Sequence, residues 1–182
     1  MPTPRNWSSS VKRVSSRFLR IIDRVSKGVG RATAWLIPLL IFELVYDTGA
    51  RYIFNAPTEW SYDISYMLYG AIFMLGAGWT LLENEHVRIE VLYERLSRRG
   101  RAVVDALGYL IFFFPAVGAL VYFGGKFALK SWMILERAGI SMWSPPIYPF
   151  KTLIPVAMAL LFLQGVAQFI RCLSVIFRRG GR

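Results

Sequence analysis

The sequence predicts an all-α integral membrane protein built from four transmembrane helices. Its 182 residues are 55% hydrophobic, and its 22 Lys and Arg cluster between long apolar runs instead of being mixed through the chain. Four of these runs reach the ~20 residues that a helix needs to cross ~30 Å of hydrocarbon. Lipid offers no hydrogen-bond partners to the backbone, so each run is expected to be an α-helix. The predicted membrane domain covers residues 32–177, with spans at about 32–54, 61–82, 103–125 and 152–177.

Basic residues predict how the four spans are oriented. Eight Lys and Arg lie in residues 1–31 and five lie at positions 88–101, between the second and third spans. Arg51 alone lies near the first loop, the third loop is intermediate, and the tail at 178–182 is basic again. Because cytoplasmic loops are rich in Lys and Arg, this pattern predicts that both termini are cytoplasmic.

The formal net charge of +11 follows from this topology and from attraction to anionic membrane lipids. Binding to nucleic acid is not expected, because the basic residues are divided among separate loops.

The first 31 residues predict a separate amphipathic helix. Apolar residues recur there at helical spacing, and basic residues occupy the other positions. The apolar set is Val11, Val14, Phe18, Ile21, Ile22, Val25 and Val29. Such a helix is expected to lie on the cytoplasmic surface of the membrane, and a dedicated partner-binding helix is the alternative. No cleaved signal peptide is expected, because the first long apolar run starts only after about thirty residues.

Charged residues interrupt the first span. Glu43 lies ~18 Å along the helix from Arg31, at ~1.5 Å per residue, which predicts a depth at or somewhat beyond the bilayer midplane. Asp47, Arg51 and Asn55 follow at spacings of four, so all are expected on one helical face, and Asp47 can pair with Arg51. A polar stripe must avoid lipid. It fits an internal network, a contact surface for a second membrane subunit, or an ion-coupling site.

The fourth span carries a weaker polar stripe. Gln164 and Gln168 lie one turn apart, and Arg171 continues the stripe. Interhelical hydrogen bonds from such residues contribute only ~0.6–2 kcal/mol each, so they specify helix packing more than they drive it. Clustered small residues predict close helix contacts, and Pro115 is expected to kink the third span. The clustered small residues are Gly70, Ala71, Gly76, Ala77, Gly78, Gly118, Ala119, Gly124 and Gly125.

Residue types that carry chemistry are scarce. Cys172 is the single cysteine and His86 the single histidine, so an intramolecular disulfide, a Cys-x-x-Cys redox pair and a bis-histidine haem are excluded within this chain. The sequence has no phosphate-binding Gly-rich loop and no Gly-x-Ser-x-Gly motif. We therefore expect no enzymatic activity, no cofactor and no metal site.

The second span ends in a dense polar junction. It runs into Glu83, Asn84 and Glu85, and a short amphipathic segment is expected to follow it on the cytoplasmic side. The junction residues His86, Arg88 and Glu90 bind lipid headgroups or a partner, or form a solvated turn with local ion pairs, which contribute only ~0–1 kcal/mol. Aromatic residues in the outer loop between the third and fourth spans fit either an interfacial belt or the docking of a soluble protein.

Several stretches together resemble the small, DctQ-like membrane subunit of tripartite ATP-independent periplasmic (TRAP) transporters. They are the RYIFN motif at 51–55, Trp60, Asp63, the stretch 67–93 with GAIFMLGAGWTL and HVRIE, and the stretch 151–167. The resemblance covers about residues 32–172. Asp63 and Glu90 stand where the family has Glu and Asp respectively, which keeps the charge and changes the reach of the side chain.

The resemblance implies a division of labour among three proteins of a bacterial inner membrane system. A large membrane subunit would carry the substrate and sodium sites, and a periplasmic binding protein would deliver an organic acid. This chain would support the scaffold of the large subunit, without catalysis. Helix packing or subunit contact is then expected of eight residues, namely Glu43, Asp47, Arg51, Asn55, Trp60, Asp63, Gln164 and Gln168. The alternatives are a self-contained small transporter built around Glu43, or a membrane anchor of a respiratory enzyme.

Overall fold

The computed structural model describes residues 17–56, 58–83, 98–139 and 141–177, and its regular structure is helical. The helices are α1 (Arg17–Ala34), α2 (Leu36–Ile53), α3 (Ser61–Glu83), α4 (Arg98–Gly108), a π-helical segment (Tyr109–Phe113), α5 (Phe114–Met133), α6 (Tyr148–Lys151) and α7 (Leu153–Phe177).

The prediction of an all-α membrane fold is confirmed. Four stretches of the described chain are long and apolar enough to cross a membrane. They are Leu19–Ile53, Ser61–Glu83, Arg99–Met133 and Tyr148–Phe177. Large apolar side chains point outward, since Phe42, Phe73 and Phe112 are 70, 73 and 75% exposed, whereas Ala128 and Ala157 are buried. Small residues therefore let the helix backbones approach each other, and bulky residues face the surroundings.

An amphipathic helix is present at Arg17–Ala34, and part of its apolar face is covered by protein. Helix α1 runs to Ala34 and is separated from α2 by Trp35 alone, and it packs against α3 and α7. Leu19 and Ile22 are buried with Ala167 of α7. Ile21 and Val25 of the predicted apolar set are still 52 and 44% exposed, so protein covers only part of the apolar side of α1. The position of α1 on the membrane surface stays a prediction.

The third span is irregular where a kink was predicted. A π-helical segment, Tyr109–Phe113, comes directly before Pro115, and the N–H of Phe114 donates to the carbonyl of Tyr109. Proline has no N–H to return to the carbonyl four residues earlier, and a widened turn accommodates this loss. The helix also begins earlier than predicted, because α4 starts at Arg98 and not at residue 103.

Helix α7 lies at the centre of the bundle. It packs against α5, α3, α4 and α1, while α2 packs mainly on α3. Two connections, residues 54–60 and 134–147, lie at one end of the bundle, which we call the loop end. The second connection folds back on itself, because the N–H of Ala138 donates to Pro145 over 2.8 Å and the N–H of Ile147 donates to Glu136 over 3.0 Å. We call the opposite end, where α1 begins and α7 finishes, the terminal end.

Candidate functional site

Glu43 joins α2 to α3 at the loop end. Its Oε1 accepts a hydrogen bond from Ser61 Oγ, and its Oε2 accepts one from Ser65 Oγ over 2.5 Å. Ser61 is the first residue of α3, so Glu43 lies level with the first turn of that helix. In its own helix Glu43 is the eighth of 18 residues, and its predicted depth at or somewhat beyond the midplane stays a prediction. The Glu43 side chain is buried, with 5% of the residue exposed.

Asp47 and Arg51 form the ion pair that their spacing predicted. Arg51 Nη2 lies 3.1 Å from Asp47 Oδ2, and Asp47 Oδ1 also accepts a hydrogen bond from Thr58 Oγ1 in the first connection. The carboxylate therefore holds the end of α2 to the chain that leads into α3.

Asn55 does not continue the polar face of α2, contrary to the prediction. The helix ends at Ile53, and Asn55 is exposed with φ of 52°. Among non-glycine residues, Asn is one of the few that tolerate this left-handed conformation, which commonly follows the last residue of a helix. The N–H of Ala56 then donates to the carbonyl of Ala50 over 3.0 Å. Asn55 therefore terminates the helix, and its left-handed conformation places its side chain away from the face that carries Glu43, Asp47 and Arg51.

Asp63 and Trp60 tie the two connections of the loop end to the helices. Asp63 is buried and accepts a hydrogen bond from Ser141 Oγ in the second connection. The Trp60 ring stacks on Tyr46 of α2, with centroids 5.8 Å apart and an interplanar angle of 26°.

A further ion pair at the loop end was not predicted. Lys151 Nζ lies 2.5 Å from Glu136 Oε2 and 4.1 Å from the centroid of the Phe127 ring. The hydrogen bond from Lys151 holds the pKa of Glu136 below its ordinary value. The two residues are fifteen positions apart, so no helical spacing could have indicated their contact.

Near the middle of α7, Gln164 connects that helix to α1. Gln164 Oε1 accepts a hydrogen bond from Ser26 Oγ over 2.8 Å, and its Nε2 donates to Asp23 Oδ1 over 3.3 Å. Gln164 is 0% exposed, so these partners replace the water that the amide would otherwise need.

Gln168 and Arg171 extend this network to α3. Gln168 Nε2 donates to the carbonyl of Leu81 over 3.2 Å, and Arg171 Nη2 lies 2.5 Å from Asp23 Oδ2. Arg171 Nη1 also donates to Gln168 Oε1 over 3.3 Å. Three helices therefore meet in one chain of polar contacts.

Asp23 and Ser26 were missed at the level of the sequence. Asp23 is the single acidic residue of α1, in a helix otherwise rich in Arg and Lys. This isolated carboxylate was the available signal in the sequence, because a single acidic residue on a basic helix suggests a specific cationic partner. That partner is Arg171, which would otherwise be a buried charge without an acidic partner.

The predicted junction residues His86, Arg88 and Glu90 lie outside the described residues, as does the short amphipathic segment predicted after the second span. Their roles stay predictions. Within the described ranges, no group of three His, Cys, Asp or Glu side chains is placed to hold a metal ion. The contacts of Glu43, Asp63, Glu136, Gln164 and Asp23 each join two elements, so their common chemical effect is to fix the helices and connections relative to one another.

Comparison with known proteins identifies the family. The sequence model for the tripartite ATP-independent periplasmic transporters, DctQ component, matches residues 40–175, which is about three quarters of the chain. The chain belongs to the DctQ family. This confirms the resemblance drawn from the sequence, and the four long apolar helices make this DctQ-family chain a multi-pass membrane protein.

A curated relative is similar over part of the chain. The sialic acid TRAP transporter small permease protein SiaQ of Vibrio cholerae serotype O1 is 23% identical over 112 residues. That alignment covers 62% of this chain and 62% of the relative, so the chain spans less than two thirds of the relative's length. The family match starts at residue 40, so it includes Gln164 and Arg171 but not Asp23, their partner in α1.

Proposed function

We propose that the chain is the non-catalytic small membrane subunit of a TRAP-type secondary transporter. In this role it supports the scaffold of a large membrane subunit during ion-coupled symport of an organic acid, which a periplasmic binding protein delivers. Membership of the DctQ family supports this assignment, as does the naming of the relative SiaQ as a small permease protein.

The main support for the proposal is that the buried polar side chains bind other parts of the same chain. Glu43, Asp63 and Gln164 are buried, and each is hydrogen-bonded to another element of the same chain. The outward faces of the long helices are apolar. A subunit that moves little and offers broad apolar faces to a larger partner needs these two properties.

The proposed location is the bacterial inner membrane with both termini in the cytoplasm. The terminal end carries α1, which has five Lys and Arg and one acid. The first connection at the loop end, residues 54–60, carries no Lys or Arg. This asymmetry fits the rule that basic residues stay on the cytoplasmic side.

Co-purification from native membranes tests the proposal. An affinity tag on this chain is expected to recover a large multi-helix subunit. Reconstituted uptake of the organic acid is expected to need both membrane subunits, the binding protein and an ion gradient. Uptake by this chain alone, as a homodimer, would favour a self-contained transporter built around Glu43. A cofactor absorbance in the purified complex would favour a respiratory anchor.

Substitutions in α2 test the role of its charged residues. Glu43→Ala and Arg51→Ala are each expected to lower the yield of assembled complex, because Glu43 holds α3 and Arg51 holds Asp47. Thr48→Ala is the matched control, since the Thr48 hydroxyl bonds only the carbonyl of Leu44 in its own helix. Wild-type assembly and uptake in both test variants would contradict the assigned role.

A further inference from the structure

An aromatic cleft of about 540 Å³ lies at the loop end, between the first and second connections. Its walls include the rings of Tyr46, Phe54, Trp60 and Trp143, together with Glu59. None of its lining residues is a Lys or an Arg. Phe54 is 76% exposed and Trp143 48% exposed, so the cleft opens outward.

The segment that supplies most of the cleft lining is acidic, and Arg137 of the second connection is directed to the carbonyl of Ser144 at 3.5 Å without lining the cleft. Residues 43–63 contain four carboxylates and one Arg, in a chain whose formal net charge is +11. Arg51 is engaged by Asp47 at 3.1 Å and does not line the cleft. Glu59 is exposed, and within the described ranges its carboxylate takes part in no ion pair.

We propose that this cleft binds a cationic side chain, Arg or Lys, presented by the periplasmic binding protein. The proposal rests on the proposed function. The faces of aromatic rings attract cations, by ~0.5–1 kcal/mol at exposed sites and ~2 kcal/mol or more when the cation is desolvated. The Glu59 carboxylate adds a charge at the rim of the same cleft. The planar guanidinium of Arg suits such a site because it stacks on rings and pairs with a carboxylate at the same time.

The position of the cleft points to a soluble partner. Its lining includes Ala56, Thr58 and Glu59 of the connection that follows α2, and Trp143 of the second connection. Whereas Tyr46 and Ala50 line the cleft from the C-terminal half of α2, these four residues lie beyond the ends of the helices that cross the membrane. Under the proposed topology they face the compartment in which the binding protein diffuses.

The test measures how tightly the binding protein associates with the assembled membrane complex in nanodiscs. Glu59→Gln and Trp143→Ala are each expected to raise the Kd about three- to tenfold, the effect of losing a cation–π contact or its charge. Glu59→Gln is also expected to flatten the dependence of the association rate on salt. Glu59→Asp and Trp143→Phe should largely restore binding. Met142→Ala is the control, because Met142 is 89% exposed beside Trp143 and does not line the cleft.

The outcomes separate this inference from the proposed function. An unchanged Kd in both Glu59→Gln and Trp143→Ala overturns the cationic site, even where the large subunit still co-purifies. The proposal is also overturned if the two substitutions change the Kd only in nanodiscs that contain phosphatidylethanolamine. The ligand of the cleft would then be the ethanolamine headgroup and not a side chain of the binding protein. Equal losses in Met142→Ala would mark a general disturbance of the loop and would likewise refute it. Failure of the wild-type chain to recover a large subunit is failure of the proposed function itself.

Discussion

The close approach of α7 to the π-helical segment predicts that Gly165→Ala destabilises the bundle. A Cβ added at Gly165 would overlap Cε1 of Phe113, and it would lie 2.7 Å from Cζ and 2.9 Å from Cδ1 of that ring. Carbon atoms in ordinary contact are about 3.5–4.0 Å apart, so the ring must move by about 1 Å or more.

The Phe113 ring has little room for that movement. It packs edge-on against Tyr109 at 5.3 Å and against Phe114 at 5.7 Å, measured between centroids. Phe114 in turn contacts Phe162 of α7 at 5.3 Å, so the rings form one interlocked cluster. Overpacking of this kind typically costs ~1–3 kcal/mol, and the crowded ring places Gly165→Ala near ~2–3 kcal/mol. For a chain of this size, that corresponds to a fall in Tm of about 5–10 °C.

Thermal unfolding of the purified protein in a fixed detergent provides the assay. Gly118→Ala is the matched control, because its added Cβ would meet only Phe162, at 3.9 Å, which is ordinary contact. Adding Phe113→Leu to Gly165→Ala is expected to recover part of the lost Tm, and the double-mutant cycle measures the coupling. A Gly165→Ala variant as stable as Gly118→Ala would refute the packing of α7 described above.

Two further predictions concern α1 and the loop end. Gly30→Ala would place its Cβ 2.7 Å from the Cβ of Trp79, an atom that no rotamer change can move, so α1 must shift away from α3. Hydrogen exchange of the α1 amides is expected to rise about 5- to 30-fold, for ~1–2 kcal/mol, while Gly28→Ala, with open space around it, changes little. The hydrogen bond from Lys151 lowers the pKa of Glu136 below its ordinary value of 4.5. The stabilisation that this pair gives the fold is therefore complete above pH 4.5 and is lost as the pH falls through the lowered pKa. The intrinsic exchange rate of amides itself falls on acidification, so the quantity to compare is the protection factor at each pH. Protection factors of residues 134–147 should therefore fall on acidification in the wild type and not in Glu136→Gln, and an equal fall in both would contradict the ion pair.

The four spans could be predicted from the sequence because hydrocarbon imposes one requirement on every residue of a crossing. A run of apolar residues about 20 long leaves the backbone no alternative to a helix. The Asp47–Arg51 pair was predictable for a similar reason, since a spacing of four fixes the distance between side chains on one helix. Local geometry alone decides both features.

Glycine contacts show where sequence reasoning stops. Clusters of small residues were expected to mark close packing, and Gly70 and Gly124 do lie against side chains of α6 and α7. Among the described residues, Gly76, Gly78 and Gly125 have no such neighbour within 4 Å. The tightest approaches occur at isolated glycines that no cluster indicates, because the partner ring comes from a distant helix. Which glycine is crowded depends on the register between helices, which a single sequence does not contain.

The polar network between α1, α3 and α7 explains how that register is set. Helices in lipid gain little from burying apolar side chains against each other, because lipid tails are equally apolar. Directional contacts must then select one arrangement. Gln164 and Arg171 can form their hydrogen bonds only when Ser26 and Asp23 of α1 lie at one particular axial position along α7. One set of contacts with Asp23 therefore satisfies the buried Arg171 and fixes α1 against α7, although α1 lies outside the stretch that identifies the family. A bundle locked in this way keeps the shape of its outward faces, which is the property that the proposed scaffold role requires.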